Sequence, residues 1–77
     1  MKKVLILASG NGSNAANISK FLKKTDLKNE IKVLCNVKKA SVFNKMKNLK
    51  IPCTFLGNNF NILLIKECQN FQPDLII

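Results

Sequence analysis

The chain has no histidine, arginine, tryptophan or tyrosine, and only four carboxylates among its 77 residues. The missing histidine removes the side chain that most often moves protons near neutral pH and most often binds metals through nitrogen. Three cysteines, Cys35, Cys53 and Cys68, are far apart and odd in number, a spacing that fits neither a zinc site nor a paired disulfide framework. Each lies in an apolar stretch, so three small buried hydrophobes in a reducing compartment are expected, and no metal. The longest apolar run, Val4 to Ala8, is far short of the roughly 20 residues that cross a bilayer, and Met1-Lys2-Lys3 leads into a strand rather than a signal-peptide core. A soluble, cytoplasmic protein with no membrane contact is expected.

What is present is a hydrophobic content of 47% with five phenylalanines, ample for a packed core, and a net charge of +9 carried by thirteen lysines. Seventy-seven residues make one small domain or a piece of a larger one, since domains usually run to about 100–200 residues. So much positive charge raises the possibility of a nucleic-acid binder. Base readout and bidentate phosphate contacts favour arginine's planar fork, however, and no aromatic platform accompanies the lysines. Eleven asparagines accompany them instead. A solvated lysine-rich surface is expected, not a nucleic-acid partner.

Hydrophobic periodicity divides the chain into alternating strands and helices. Val4 to Ala8 is a continuous apolar run ending at Ser9-Gly10, which suits a strand buried on both faces. Ala15, Ile18, Phe21 and Leu22 recur at helical spacing opposite Asn17, Lys20 and Lys24, predicting an inward stripe on a helix from about Ser13 to Lys24. Ile31 to Cys35 reads as a second strand. Val42, Phe43, Met46 and Leu49 mark one face of a helix from about Ala40 to Leu49. Cys53 to Leu56 follows Pro52 as a third strand. Gly57-Asn58-Asn59 forms a turn suited to cap a third helix that carries Phe60, Leu63, Leu64, Cys68 and Phe71 inward. Pro73-Asp74 ends that helix, and Leu75-Ile76-Ile77 opens a fourth strand. The order β-α-β-α-β-α-β with short connections predicts an α/β fold: a Rossmann-like open parallel sheet with helices on both faces and the first strand near its centre. The last residues fall inside an apolar strand that should be buried, so residues 1–77 are expected to be the front of a longer domain, cut within its fourth strand.

The stretch Leu5 to Ile18, LILASGNGSNAANI, is therefore the first strand-to-helix turn of such a sheet, where ligands bind. Gly10 and Gly12 allow a sharp turn and a close approach to an anion, with Asn11 between them. Ser13 and Asn14 add side-chain donors where the helix's unpaired N–H groups and positive dipole end point. Gly12, Ser13 and Asn14 are the candidate phosphate-binding residues, with Gly10 and Asn11 as the supporting turn. The bland alternative is a glycine turn with Ser13 as a simple helix cap. Gly10 to Ala15 also fits G-x-G-x-x-G/A, the dinucleotide fingerprint. That fingerprint wants an acidic residue at the end of the second strand, and here the strand ends in Asn36, with Glu30 before it begins. An NADP variant using Lys38 and Lys39 is the form of this alternative that the residues allow.

Ser9 to Asn14, SGNGSN, following an N-terminal apolar strand, resembles the start of phosphoribosylglycinamide formyltransferase, the folate-dependent enzyme of purine synthesis. Three further landmarks are similar to that family and occur in order. Cys35-Asn36 stands where the family has Ser-Asn, Asn48 to Pro52 (NLKIP) matches its Ala-Gly-Ile-Pro, and Pro73 to Ile77 (PDLII) matches the approach to its fourth strand. The resemblance covers all 77 residues.

It implies a transferase that passes a formyl group from 10-formyltetrahydrofolate to the amine of glycinamide ribonucleotide, with Gly12, Ser13 and Asn14 holding the substrate's 5'-phosphate. It also implies that the catalytic Asn, His and Asp, and most of the folate pocket, belong to the half beyond the fourth strand. This chain is then expected to contribute no catalytic residue and to be inactive alone, with a separate C-terminal polypeptide as one possible partner. Its own carboxylates, Asp26, Glu30, Glu67 and Asp74, are expected at helix ends and connections away from the phosphate turn. Two departures stand out. Bulkier residues, VKKASVF, follow Asn36 where the family has small residues and a glycine, and the segment from Leu56 to Phe60 is shorter and lacks an arginine. Both bear on sugar and folate contacts more than on the phosphate turn.

Overall fold

The computed structural model describes residues 2–8, 12–37, 41–57 and 59–77. Seven elements alternate: β1 (Lys3–Ala8), α1 (Ser13–Thr25), β2 (Glu30–Cys35), α2 (Val42–Asn48), β3 (Cys53–Phe55), α3 (Phe60–Phe71) and β4 (Leu75–Ile76). The four strands form one parallel sheet in the order β3-β2-β1-β4, so β1 lies inside it, as its uninterrupted apolar run requires. This is a Rossmann-like arrangement, and the direction of winding reverses between β1 and β4.

The alternation of side chains along the strands divides the core between two faces. Val4 and Ile6 of β1 and Ile31, Val33 and Cys35 of β2 pack with Ala15 and Ala16 of α1 and Val42 and Met46 of α2. Leu5 and Leu34 point the other way and are joined by Leu56 beneath α3. The five residues expected to face inward on α3, Phe60, Leu63, Leu64, Cys68 and Phe71, all pack against this second cluster. Burying apolar surface at about 25 cal/mol per Å² makes these two layers the main source of stability.

Polar groups tie the loops at the amino ends of the strands. Asn29 is buried, accepting from the Lys2 amide at 2.9 Å through Oδ1 and donating to the Leu22 carbonyl at 2.9 Å through Nδ2. It thereby joins the start of β1 to the end of α1. The Asp74 carboxylate accepts from the Lys3 amide at 2.8 Å and fixes the approach to β4. The β4 pairing extends past its last assigned residue, since the Ile77 amide donates to Leu5 and the Leu7 amide to Ile77.

Several sequence expectations change. Phe21, placed on the inward stripe of α1, is 67% exposed, whereas Ile18 and Leu22 pack against the core. Its position lies at the edge of the stripe, and nothing else in the described chain covers it. Helix α2 begins at Val42 and Leu49 is its C-cap, while Ala40 lies outside the described residues. Leu56 falls just beyond β3, although its amide still donates to Cys35 at 2.8 Å. Asn59 occupies the N-cap position of α3 without a side-chain capping bond, and Asn58 lies outside the described residues. Glu67 lies within α3, paired with the Lys32 ammonium across the sheet face, not at a helix end. Glu30 is the first residue of β2, not part of the preceding connection. Cys35 is fully buried, but Cys53 and Cys68 are only partly so.

Candidate functional site

Helix α1 starts at the carboxyl end of β1. Its N-cap is Gly12, with φ +73°, in the left-handed region that glycine tolerates and other residues seldom adopt. The first intrahelical bond runs from the Ala16 amide to the Gly12 carbonyl at 2.9 Å, so the amides of Ser13, Asn14 and Ala15 belong to the turn that lacks intrahelical acceptors. The first turn contains no acidic residue and the last carries Lys23 and Lys24. The C-terminal end of the dipole is thus complemented by lysines, while its positive N-terminal end meets no carboxylate from its own first turn. Ser13 and Asn14 are exposed, and Gly12 is buried beneath them.

A cleft of about 380 Å³ opens above this turn, lined by Ile6, Leu7 and Ala8 of β1, by Gly12 to Ala15, Asn17 and Ile18, and by Ile77. It therefore lies between the carboxyl ends of β1 and β4, where the winding direction reverses and where open α/β sheets place their ligands. Its described lining combines apolar walls with Ser13, Asn14 and Asn17, and includes no titratable side chain. Such a site has the donors to bind and orient an anion, but its described lining offers no titratable side chain to transfer a proton.

Of the residues singled out in the sequence, Gly12, Ser13 and Asn14 are brought together at this cleft, whereas Gly10 and Asn11 lie outside the described residues. Two neighbours were not legible from local spacing. The Lys45 ammonium donates to Ser13 Oγ at 3.3 Å, and Val42 is buried directly against Gly12. A Cβ at Gly12 would lie 2.2 Å from Val42 Cγ2, so glycine is needed here for helix packing as well as for its φ. Of the bulkier residues after β2, expected to bear on sugar and folate contacts more than on the turn, Val42 packs against the turn itself. Both contacts come from the crossover that sets the start of α2 beside the start of α1, a relationship between residues about 30 positions apart.

The ingredients of the alternative readings separate. Glu30 pairs in register with Lys3 at the amino end of the sheet, opposite the cleft, and Asn36 at the end of β2 is exposed. Lys38 and Lys39 lie outside the described residues. Phe21 is the one aromatic exposed among the lysines of α1, which does not amount to a stacking platform. No described helix is long and apolar enough to cross a membrane.

No protein-family model matches the chain, and no curated protein does. Solved structures do. Phosphoribosylglycinamide formyltransferase from Streptococcus pneumoniae TIGR4 is 26% identical, with a TM-score of 0.78, and the match covers 99% of this chain and 43% of that one. The chain resembles the N-terminal portion of a phosphoribosylglycinamide formyltransferase. Glycinamide ribonucleotide transformylase 1 from Geobacillus kaustophilus matches at 25% identity and a TM-score of 0.80, over 99% of this chain and 45% of that one. The Brucella melitensis formyltransferase has a TM-score of 0.84 at 19% identity, covering 97% of this chain and 43% of that one, a likeness of fold. The chain thus spans less than half the length of the formyltransferases it matches.

Proposed function

We propose that this chain is the N-terminal portion of a cytoplasmic phosphoribosylglycinamide formyltransferase, in which Gly12, Ser13 and Asn14 hold the 5'-phosphate of glycinamide ribonucleotide. The observation that carries this reading is the coincidence of the α1 amino end with the cleft between β1 and β4 in a chain that resembles formyltransferases over 99% of its length. The helix amides and the Ser13 and Asn14 side chains donate to phosphate oxygens, and the dipole end favours their charge. Gly10 and Asn11 form the supporting turn.

In the reaction, the amine nitrogen of glycinamide ribonucleotide attacks the formyl carbon of 10-formyltetrahydrofolate. The tetrahedral intermediate collapses with expulsion of the folate nitrogen, which takes up a proton as the amine loses one. That chemistry calls for a base, an oxyanion donor and an acid. The described cleft lining holds no titratable side chain, so the side chains of this portion contribute binding and orientation. The catalytic groups and most of the folate pocket belong to the remainder of the domain, joined in cis or supplied as a separate C-terminal polypeptide. Residues 1–77 then form a domain portion that ends within the sheet, and the reaction needs no metal.

Joining residues 1–77 to the remaining part of the Geobacillus kaustophilus enzyme tests this. The chimera is expected to formylate glycinamide ribonucleotide, while the chain alone does not. Turnover by the chain alone, above that of a control carrying Ser13→Ala and Asn14→Ala, or a well-folded chimera with no turnover, contradicts the proposal.

A further inference from the structure

Helices α1 and α2 lie side by side and together carry Lys20, Lys23, Lys24, Lys45 and Lys47 with no carboxylate. One of these lysines stands apart by position. Lys45 is half-buried in the cleft between the helices, with its ammonium on Ser13 Oγ at 3.3 Å. The cleft has a volume of about 380 Å³ and is lined by Ser13, Ala16, Asn17, Lys20, Asn48 and Leu49 beside Lys45, with no acidic residue among them. Ser13 and Asn17 line both this cleft and the one above the α1 turn, so the two clefts adjoin along these side chains.

We infer that Lys45 is a positioning residue for the substrate phosphate, an inference that rests on the phosphate reading above. The turn itself offers only neutral donors and the partial charge of a helix end. A dianion held by such donors lacks a full counter-charge. Lys45 supplies one from outside the turn, close enough to orient the Ser13 hydroxyl and to stand beside an oxygen that Ser13 contacts. An ammonium donating to the Ser13 hydroxyl holds that oxygen in place beside the turn. At the far end of α1 the Lys23 ammonium is engaged instead with the backbone carbonyls of Leu27 and Asn29.

The test is titration of the 77-residue chain with inorganic phosphate, followed through the Ser13 and Asn14 amide resonances. The wild type, Lys45→Gln, Lys45→Arg and Lys24→Gln are compared; the last removes the same charge from the exposed end of α1. Loss of a charge-assisted contact is expected to weaken Lys45→Gln about tenfold. Lys45→Arg should bind nearly as the wild type does, and Lys24→Gln should change little. Raising the salt concentration should erode the gap between wild type and Lys45→Gln. Equal affinities for wild type and Lys45→Gln, or equal losses in Lys45→Gln and Lys24→Gln, overturn the role of Lys45 while leaving the phosphate turn intact. Absence of phosphate shifts at Ser13 and Asn14 in the wild type overturns the phosphate reading, and this inference with it.

Discussion

Gly12 and Val42 are in such close contact that a single methyl group added to the glycine would fall 2.2 Å from Val42 Cγ2 and 2.5 Å from Val42 Cβ. The glycine of the turn is therefore held by two constraints, its positive φ and the helix pressed against it. Gly12→Ala is expected to destabilise the chain by about 2–5 kcal/mol, combining left-handed strain with overpacking. Val42→Ala should recover part of that loss in the double variant, so that the two changes cost less together than their sum. Urea unfolding of the four proteins measures the coupling, and strict additivity would show that the contact is not what matters. The same geometry makes Gly12 a poor position for testing ligand binding, because its substitution disturbs packing first.

Lys50 adopts φ +59° where α2 ends, and the Ile51 amide closes the helix by donating to Met46 at 2.9 Å. Helices commonly end in this way with glycine at the left-handed position. Lys50→Gly is expected to raise stability by about 1 kcal/mol, as relief of left-handed strain outweighs the added freedom of the unfolded chain. A midpoint shift in chemical denaturation with an unchanged slope reads this out; a destabilised variant would mean that the lysine side chain contributes more than its backbone costs.

Burial raises the Cys53 thiol from its usual 9.0 to about 11, with Cys35 adding to the effect. Because the folded state holds the neutral thiol more firmly than the unfolded state does, this contribution is complete below pH 9 and lost as the pH rises toward 11. Stability should fall across that window more steeply in the wild type than in Cys53→Val. At neutral pH, Cys53 should also alkylate about a hundredfold more slowly than an unperturbed thiol, in proportion to its thiolate fraction. Identical pH profiles for the two proteins would contradict the assignment.

Strand β4 pairs on one side with β1, and Leu75, Ile76 and Ile77 remain 48%, 50% and 45% exposed. An apolar edge of this kind invites pairing with another chain. The 77-residue chain prepared alone is expected to associate with rising concentration, and Ile76→Lys to shift it toward monomer. Sedimentation velocity distinguishes this from a wild type that stays monomeric throughout.

How far the sequence could be read depended on the range of the interaction. The inward set of α3 follows from three- and four-residue spacing and is met at all five positions, and the continuous apolar run of β1 implied an interior parallel strand, as found, although Leu7 within that run is exposed rather than buried. Phe21 defeats the same logic because periodicity assigns a face without saying how wide its cover is. The place of Gly12, Ser13 and Asn14 at the start of α1 was legible since a strand, a glycine turn and a helix start are adjacent in the chain. Val42 and Lys45 were not, because their approach to Gly12 and Ser13 depends on how two helices settle on the same side of the sheet.

The most direct test of the central claim is a comparison of glycinamide ribonucleotide with its dephosphorylated riboside, each titrated into the 77-residue chain and followed by amide resonances. The ribonucleotide is expected to move Ser13 and Asn14 with an affinity near millimolar, about −4 kcal/mol, while the riboside leaves them in place. Ser13→Ala should weaken the ribonucleotide by the roughly 1.5–3 kcal/mol of a hydrogen bond to a charged partner. Equal responses to the two ligands, or ribonucleotide shifts spread over the lysines of α1 and α2 and absent from Ser13 and Asn14, would contradict the account.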